Sequence, residues 1–184
     1  MIDRTVYRVV GSEGYELCHP VDVGDFECIS SRIADESPVR DHWMSVRMEL
    51  VRSDEGKSLR RSDAPWFGSQ ALIFRREVVD ALGGYLLTYG ELLPLQCDDA
   101  DVVMFNSLRR LDALNEQASA IMRHRDGRIM LVTKPVFKAS VIEGVDVFKL
   151  RQMPAGPTLV SSRFVDLWHE HGFEGLDFVV GGAL

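Results

Sequence analysis

Residues 43–51 alternate between apolar and polar side chains along the chain. The apolar positions after Trp43 are Met44, Val46, Met48 and Leu50. A period of two is typical of a strand with one buried face, so the pattern predicts a half-buried strand here. Shorter runs of strand-forming residues predict three earlier strands, over residues 5–10, 15–18 and 26–29.

Residues 52–65 interrupt this organisation, because they carry almost no large apolar side chain. We expect a solvated connection there. The sequence therefore predicts a β-rich N-terminal lobe over residues 1–65 and an α+β region over residues 66–184. With 184 residues, the two parts have the length to form one compact unit.

Strand and helix patterns alternate after residue 65. A short apolar run over residues 70–74 precedes a helical spacing over residues 76–82, which we expect Gly83 and Gly84 to end, and extended chain follows. The same order recurs 86 residues later, with a strand, a helix over residues 162–169 and a strand over residues 176–180. We predict two similar strand–helix–strand units, which must cover each other's apolar faces or share a sheet.

The segment between these units contains one clear turn signal. Asp126-Gly127 lies between strand-like flanks, which predicts a hairpin over residues 122–131 with positive φ at both turn positions. Residues 102–105 resemble a strand, whereas residues 106–119 fit either a helix or a broken strand. A short helical or turn segment and a strand are expected over residues 136–150.

Charge and composition narrow the classes of function. The chain has 21 Lys and Arg against 28 Asp and Glu, a net charge of −7, which disfavours binding to nucleic acid. No window is long and apolar enough for a membrane helix, and the first residues lack the pattern of a secretory signal. Three widely spaced cysteines favour a reducing compartment. We expect a cytoplasmic protein.

Candidate chemistry is sparse, and the sequence carries none of the common nucleotide-binding, metalloprotease or hydrolase motifs. We therefore predict no catalytic residue, no cofactor and no metal. His169-Glu170-His171 has the wrong spacing for metal ligands on a helix and fits a helix C-terminus better. The carboxylates of Asp98, Asp99 and Asp101 form either a solvated turn or a contact for a basic partner. We predict the second role for them.

Asp112 lies in an apolar stretch, so we predict a buried carboxylate that is held by Arg109, Arg110 or backbone donors. An alternative hypothesis is an enzyme, a hydrolase or transferase, whose site is assembled from distant residues. Asp112, His124 and Cys97 would then be the residues to suspect. A third hypothesis is an adaptor module for another cytosolic protein.

Several blocks of the second half, taken in order, resemble one bacterial family. They are residues 106–119, the DGRIM hairpin, and residues 147–150, 159–168 and 172–179. Together they resemble the immunity proteins found beside polymorphic toxins, in the eleventh family of that series, from Gln70 to the end of the chain. The family carries a second aspartate where Asn115 stands. It also has a serine cap on the helix of its first unit, where Phe74-Arg75-Arg76 stands here; Ser161-Ser162 keeps the pattern in the second.

The resemblance implies a protein that binds and neutralises a toxin and performs no chemistry. The cognate toxin would be the partner, and a basic toxin would suit the acidic charge of this chain. The resemblance implies no site residues.

Overall fold

The computed structural model describes residues 5–34 and 37–182. With 22% helix and 38% strand in several sheets, the fold is α+β, as predicted. The four α-helices of the described residues are α1 (Gly24–Ala34), α2 (Arg76–Leu86), α3 (Ala139–Ile142) and α4 (Ser162–Glu170). A 3-10 turn spans Arg40–His42.

The strands of the first half are β1 (Val6–Gly11), β2 (Leu17–Pro20), β3 (Arg47–Val51), β4 (Ser53–Asp54), β5 (Lys57–Ser58), β6 (Leu72–Arg75), β7 (Gly90–Pro94) and β8 (Gln96–Cys97). Those of the second half are β9 (Val102–Ser107), β10 (Arg110–Leu111), β11 (Ala120–Arg123), β12 (Ile129–Lys134), β13 (Val147–Leu150), β14 (Leu159–Ser161) and β15 (Leu176–Val180).

Two of the sheets share an arrangement. The three-stranded sheet has the order β6-β9-β7, and the five-stranded sheet has the order β10-β13-β14-β1-β15. In each, the two strands that flank a helix in sequence lie on either side of an antiparallel strand. That strand is β9 for β6-α2-β7, and β1 for β14-α4-β15. The two strand–helix–strand segments therefore occupy separate sheets. That they are copies of one unit stays a prediction.

The helices α2 and α4 pack into a common core. Val78, Leu82 and Leu86 recur every four residues on α2 and are buried, which places them on one face of the helix. Phe164 and Trp168 do the same on α4, and the ring of Phe164 stacks 6.4 Å from that of Tyr85 on α2. Each helix packs on a strand of its own segment, and the two helices meet in one shared core.

The β6-β9-β7 sheet is buried on both faces. Phe74 and Phe105 face the core of α2 and α4, whereas Ile73, Leu93 and Met104 face a second core, formed with α1 and the β2-β3-β8 sheet. Burial on both faces explains the unbroken apolar runs of β6 and β9.

The glycines that were expected to end α2 lie inside it. The helix continues to Leu86, which is fully buried in the core. A Cβ on Gly83 would lie 3.4 Å from the Val79 side chain and 3.8 Å from Leu92, which is ordinary van der Waals contact. The prediction of a helix end at Gly83 was wrong because the burial of Leu86 outweighs the low helix propensity of glycine.

The N-terminal prediction needs one correction. Residues 26–29, predicted as a strand, lie in α1, where Ile29 and Ile33 are buried four residues apart. The strand predicted over residues 43–51 forms only over Arg47–Val51, with Met48 and Leu50 buried as expected, whereas Met44 precedes the strand and is 68% exposed. The boundary between the predicted parts 1–65 and 66–184 stays a prediction.

The segment 52–65 is solvated only in its first half. The β4-β5 hairpin is exposed, but Ser62 and Ala64 are buried. The Arg75 Nε donates a hydrogen bond to the Ser62 carbonyl at 2.8 Å, and a Cβ on Gly175 would collide with the Ser62 side chain. Small side chains let this backbone enter the interior, so the absence of large apolar residues did not mean exposure.

The segment 106–134 is mostly extended. Residues 106–107 end β9 and residues 110–111 form β10, so this part is not helical, and β11 and β12 form the predicted hairpin. Gly127 has a φ of 86°, whereas Asp126 does not adopt a positive φ, so the expected two-residue turn was wrong. The turn is longer, because the Gly127 N–H donates to the His124 carbonyl at 3.0 Å.

Candidate functional site

The acidic loop, which we define as residues 98–101, connects β8 to β9. Each of its three carboxylates lies beside a guanidinium from another part of the chain: Asp98 beside Arg47 at 3.0 Å, Asp99 beside Arg52 at 3.2 Å, and Asp101 beside Arg76 at 3.0 Å. The side chains remain largely accessible, and that of Asp98 is 85% exposed. The loop is therefore a surface of alternating charges.

This pairing changes the electrostatics expected of the loop. Three guanidiniums balance three carboxylates, so the loop attracts a cation less strongly than its sequence indicates. The hydrogen bond from Arg76 to Asp101 raises the pKa of Arg76, which keeps that side chain positively charged. Sequence analysis missed the arginines because 51 residues separate Arg47 from Asp98. A role for Asp98, Asp99 and Asp101 in binding a partner stays a prediction.

Asp112 is not the buried anchor that was predicted. Its side chain is 62% exposed, and its carboxylate accepts hydrogen bonds from the Lys138 Nζ at 3.0 Å and from the Gln152 amide. Arg109 instead donates to the Thr88 carbonyl at 3.3 Å, and Arg110 donates to the carbonyls of Pro154 and Ile33. The apolar neighbours Ala113 and Leu114 are buried, whereas Asp112 points outward at the end of β10. Apolar sequence context alone therefore misjudged the burial of this residue.

The residues of the alternative enzyme hypothesis lie in or directly after strands of three different sheets. Cys97 is in β8, His124 is in the turn after β11, and Asp112 follows β10. No hydrogen bond or ion pair joins any two of them within residues 5–34 and 37–182. The structure thus does not assemble Cys97, His124 and Asp112 into a nucleophile and base.

Asp146 lies at the centre of a polar network that sequence analysis missed. Its carboxylate accepts a hydrogen bond from the Ser161 hydroxyl at 2.7 Å and one from the Tyr89 hydroxyl at 3.1 Å. The Arg163 Nε is 3.8 Å away. Burial, followed by the charge of Asp146, raises the pKa of Tyr89, so this phenol remains a donor. The network joins the end of α2 to the start of α4.

The Asp146 network borders a cleft of about 310 Å³. Its mostly apolar wall includes Val6, Val145 and Phe148. Ser161 is already engaged, because its hydroxyl donates to Asp146 and accepts from the Phe164 N–H at 3.5 Å, which caps α4. Those bonds give Ser161 a structural role and leave it poorly placed as a nucleophile.

A buried cationic pair lies on β10 and β13, which are adjacent parallel strands in register at Arg110 and Lys149. Lys149 is fully buried, and within the described residues its Nζ has no hydrogen-bond partner. Burial, followed by the charge of Arg110, lowers the pKa of Lys149 to about 7. Arg110 donates to the carbonyls of Ile33 and Pro154 at 2.6 and 2.9 Å. In the sequence, the only sign of this pair within β13 is a lysine, Lys149, among three apolar residues.

The histidines near the C-terminus lie where a helix ends, as predicted. α4 ends at Glu170, and Gly172 follows with a φ of 67°. The His171 Nδ1 is 2.8 Å from the Leu167 carbonyl, and its ring stacks on Phe173. Within residues 5–34 and 37–182, no group of three or more His, Cys, Asp or Glu side chains is placed to hold a metal ion.

The described residues thus form an α+β protein. The carboxylates of the acidic loop and of Asp112 are in ion pairs, and the C-terminal histidines lie at the end of a helix. Residues 98–183 match the model of the immunity protein family Imm11, the family that the sequence resembles. The matched segment begins at the acidic loop and contains α3, α4 and the strands from β9 to β15. A comparison with curated proteins finds no match. None of the helices described is long and apolar enough to cross a membrane.

Proposed function

We propose that this protein is an immunity protein that binds a cognate toxin stoichiometrically and neutralises it. The observation that carries the proposal is the family match over residues 98–183. A non-enzymatic role follows from the same family. Neutralisation would consist of covering the active site or the substrate path of the toxin. A stable complex of this kind buries about 800 Å² on each partner.

The direct test is co-expression with the adjacent upstream gene. This protein and its neighbour are placed under separate promoters, and cell survival and co-purification are recorded. We expect the neighbour to be toxic alone, and both survival and a one-to-one complex to require this protein. A toxic neighbour that kills the cells equally in its presence, or a harmless neighbour that does not co-purify, would contradict the proposal.

We also propose the acidic loop as one contact for a basic surface of the toxin. Converting Asp98, Asp99 and Asp101 to asparagine keeps the shapes of the side chains and leaves three guanidiniums unpaired. At low salt we expect association with a basic toxin to slow by about tenfold, because electrostatic steering is lost. Stopped-flow or surface-plasmon measurements of the association rate check this.

The matched control changes the net charge by the same amount elsewhere. Glu13, Glu170 and Asp177 are exposed and lie outside the acidic loop and its arginine partners, so their conversion to the corresponding amides adds three units of charge elsewhere. Equal association rates for the two triple variants would remove the acidic loop from the interface and leave the immunity role untouched.

A further inference from the structure

The β11-β12 hairpin exposes apolar side chains on its outer face. Met122 and Leu131 are directly opposite in the strand register, so they lie on the same face, where they are 50% and 47% exposed. The neighbouring pair, Ile121 and Val132, packs on the core that contains Phe137. The fold therefore buries one face of the hairpin and exposes apolar side chains on the other. Exposed apolar patches often mark binding surfaces.

This outer face continues into a groove of about 250 Å³. Leu131 lines the groove at the hairpin, and Val180, which is 63% exposed, lines it at the end of β15. Phe137 and Leu159 contribute buried apolar surface between them. We call the groove together with the exposed Met122 and Leu131 the hairpin groove.

The hairpin groove lies in a basic part of an acidic protein. Residues 116–134 contain four Arg or Lys against Glu116 and Asp126, a charge of 4 − 2 = +2, although the whole chain has a charge of −7. Arg123 and Arg128 pair with those two carboxylates, so Arg125 and Lys134 carry the excess. Arg8 is the charged residue that lines the groove. Lys134 lies between two lining residues, and it forms no ion pair with any residue that the structure describes. An anionic group at the rim would therefore be attracted, and no lining carboxylate would oppose it.

We propose that the hairpin groove binds a segment of the toxin in which apolar side chains adjoin carboxylates. An apolar side chain would fill the groove between Leu131 and Val180, and a carboxylate would meet Arg8 and Lys134. A filled apolar pocket with a charged rim is the usual centre of a tight protein interface. The proposal depends on the proposed function for the identity of the partner, and adds the surface and the chemistry of the contact.

Protein fits this surface better than nucleic acid. The affinity of a protein for nucleic acid comes from many unpaired cations that neutralise phosphates. Here Arg123 pairs with Glu116, and Arg128 pairs with Asp126. The net charge of −7 also repels a polyanion. Exposed methionine, leucine and valine would contribute little to phosphate binding, whereas they would be buried by an apolar segment.

The test is Leu131→Glu, with Leu87→Glu as its matched control. The two leucines are 47% and 48% exposed, so both variants should fold, which circular dichroism and thermal unfolding verify. The probe is the purified toxin encoded by the adjacent gene, after co-expression has shown that this protein binds it. We expect Leu131→Glu to raise the dissociation constant at least thirtyfold, a loss of about 2 kcal/mol typical of a central contact, and Leu87→Glu to leave it within about twofold.

Charge is tested separately by Arg8→Gln combined with Lys134→Gln. We expect about tenfold weaker binding at low salt, and a smaller dependence of affinity on salt than in the parent protein. Wild-type affinity in both Leu131→Glu and the double variant would overturn the groove while leaving the immunity role intact. Failure of the parent protein to bind or rescue would instead refute the proposed function. Competition between a labelled DNA duplex and the toxin would also overturn the groove proposal.

Discussion

Lys149 is the least expected residue of the fold, because its ammonium group is buried beside Arg110 and its Nζ has no hydrogen-bond partner among the described residues. Burial lowers its pKa from 10.5 to about 7. Between these two values the unfolded chain binds the proton and the folded chain releases it. Raising the pH through this window therefore favours the folded state, and below pH 7 this residue adds no pH dependence.

We expect the free energy of unfolding to rise by about 2–3 kcal/mol between pH 7 and 9 through Lys149 alone. Lys149→Met should remove that part of the slope and be more stable than the parent protein at pH 7. Urea unfolding across this range measures both. The range stops at pH 9 because burial raises the pKa of Cys18 to about 12, which destabilises the fold at higher pH. Identical slopes in the two proteins would show that Lys149 is solvated.

Contacts between residues that are far apart in the chain were the feature of the structure hardest to predict from the sequence. The burial of Met48 and Leu50 was predictable from the period of two, because alternate residues of a strand point to the same face. The ion pair between Asp98 and Arg47 and the exposure of Asp112 depend on which distant segments meet. Local patterns therefore predicted the buried faces but not the partners of the candidate site.

The two helices of the common core begin in different ways. Ser161 caps α4 through its hydroxyl, whereas α2 begins after Arg75 without a side-chain cap. The Arg75 guanidinium instead binds the buried carboxylate of Glu16. The departure from the serine pattern at the first helix thus coincides with a buried ion pair that joins β6 to the N-terminal part of the chain.

Ser161→Ala should destabilise the protein by about 1–3 kcal/mol, because it removes the cap of α4 and the hydrogen bond to Asp146. Ser161→Thr keeps a hydroxyl and should recover most of that loss. Thermal and urea unfolding of the two variants compare them. An alanine variant as stable as the parent would mean that water replaces both bonds.

Helices and strands were predicted correctly where the spacing of apolar residues was clear. They were predicted wrongly where tertiary contacts determine the structure. β15 appears over residues 176–180 as expected. α1 was mistaken for a strand because residues 26–29 are too short to show the helical spacing that links Ile29 to Ile33. α2 extends past its glycines because its last turn is packed against the other helix and the sheet.

The molecule as a whole depends on the core shared by α2 and α4. Leu82→Ala removes a side chain that is 3% exposed, and we expect a loss of about 2–5 kcal/mol. Because the core draws on both strand–helix–strand segments, unfolding should remain a single transition. Leu87→Ala, at an exposed position, is the matched control and should change stability by less than about 0.5 kcal/mol. Two separate transitions in calorimetry would show that the segments fold independently.

The position of β1 determines when the fold can be completed during synthesis. Residues 6–11 form the strand between β14 and β15, so β1 is synthesised well before the two strands that flank it. Until residues 159–180 emerge, β1 has two unpaired edges that can meet other nascent chains. Such long sequence separations slow folding. The five-stranded sheet therefore forms only after residues 159–180 are made, and β1 must remain available for pairing until then.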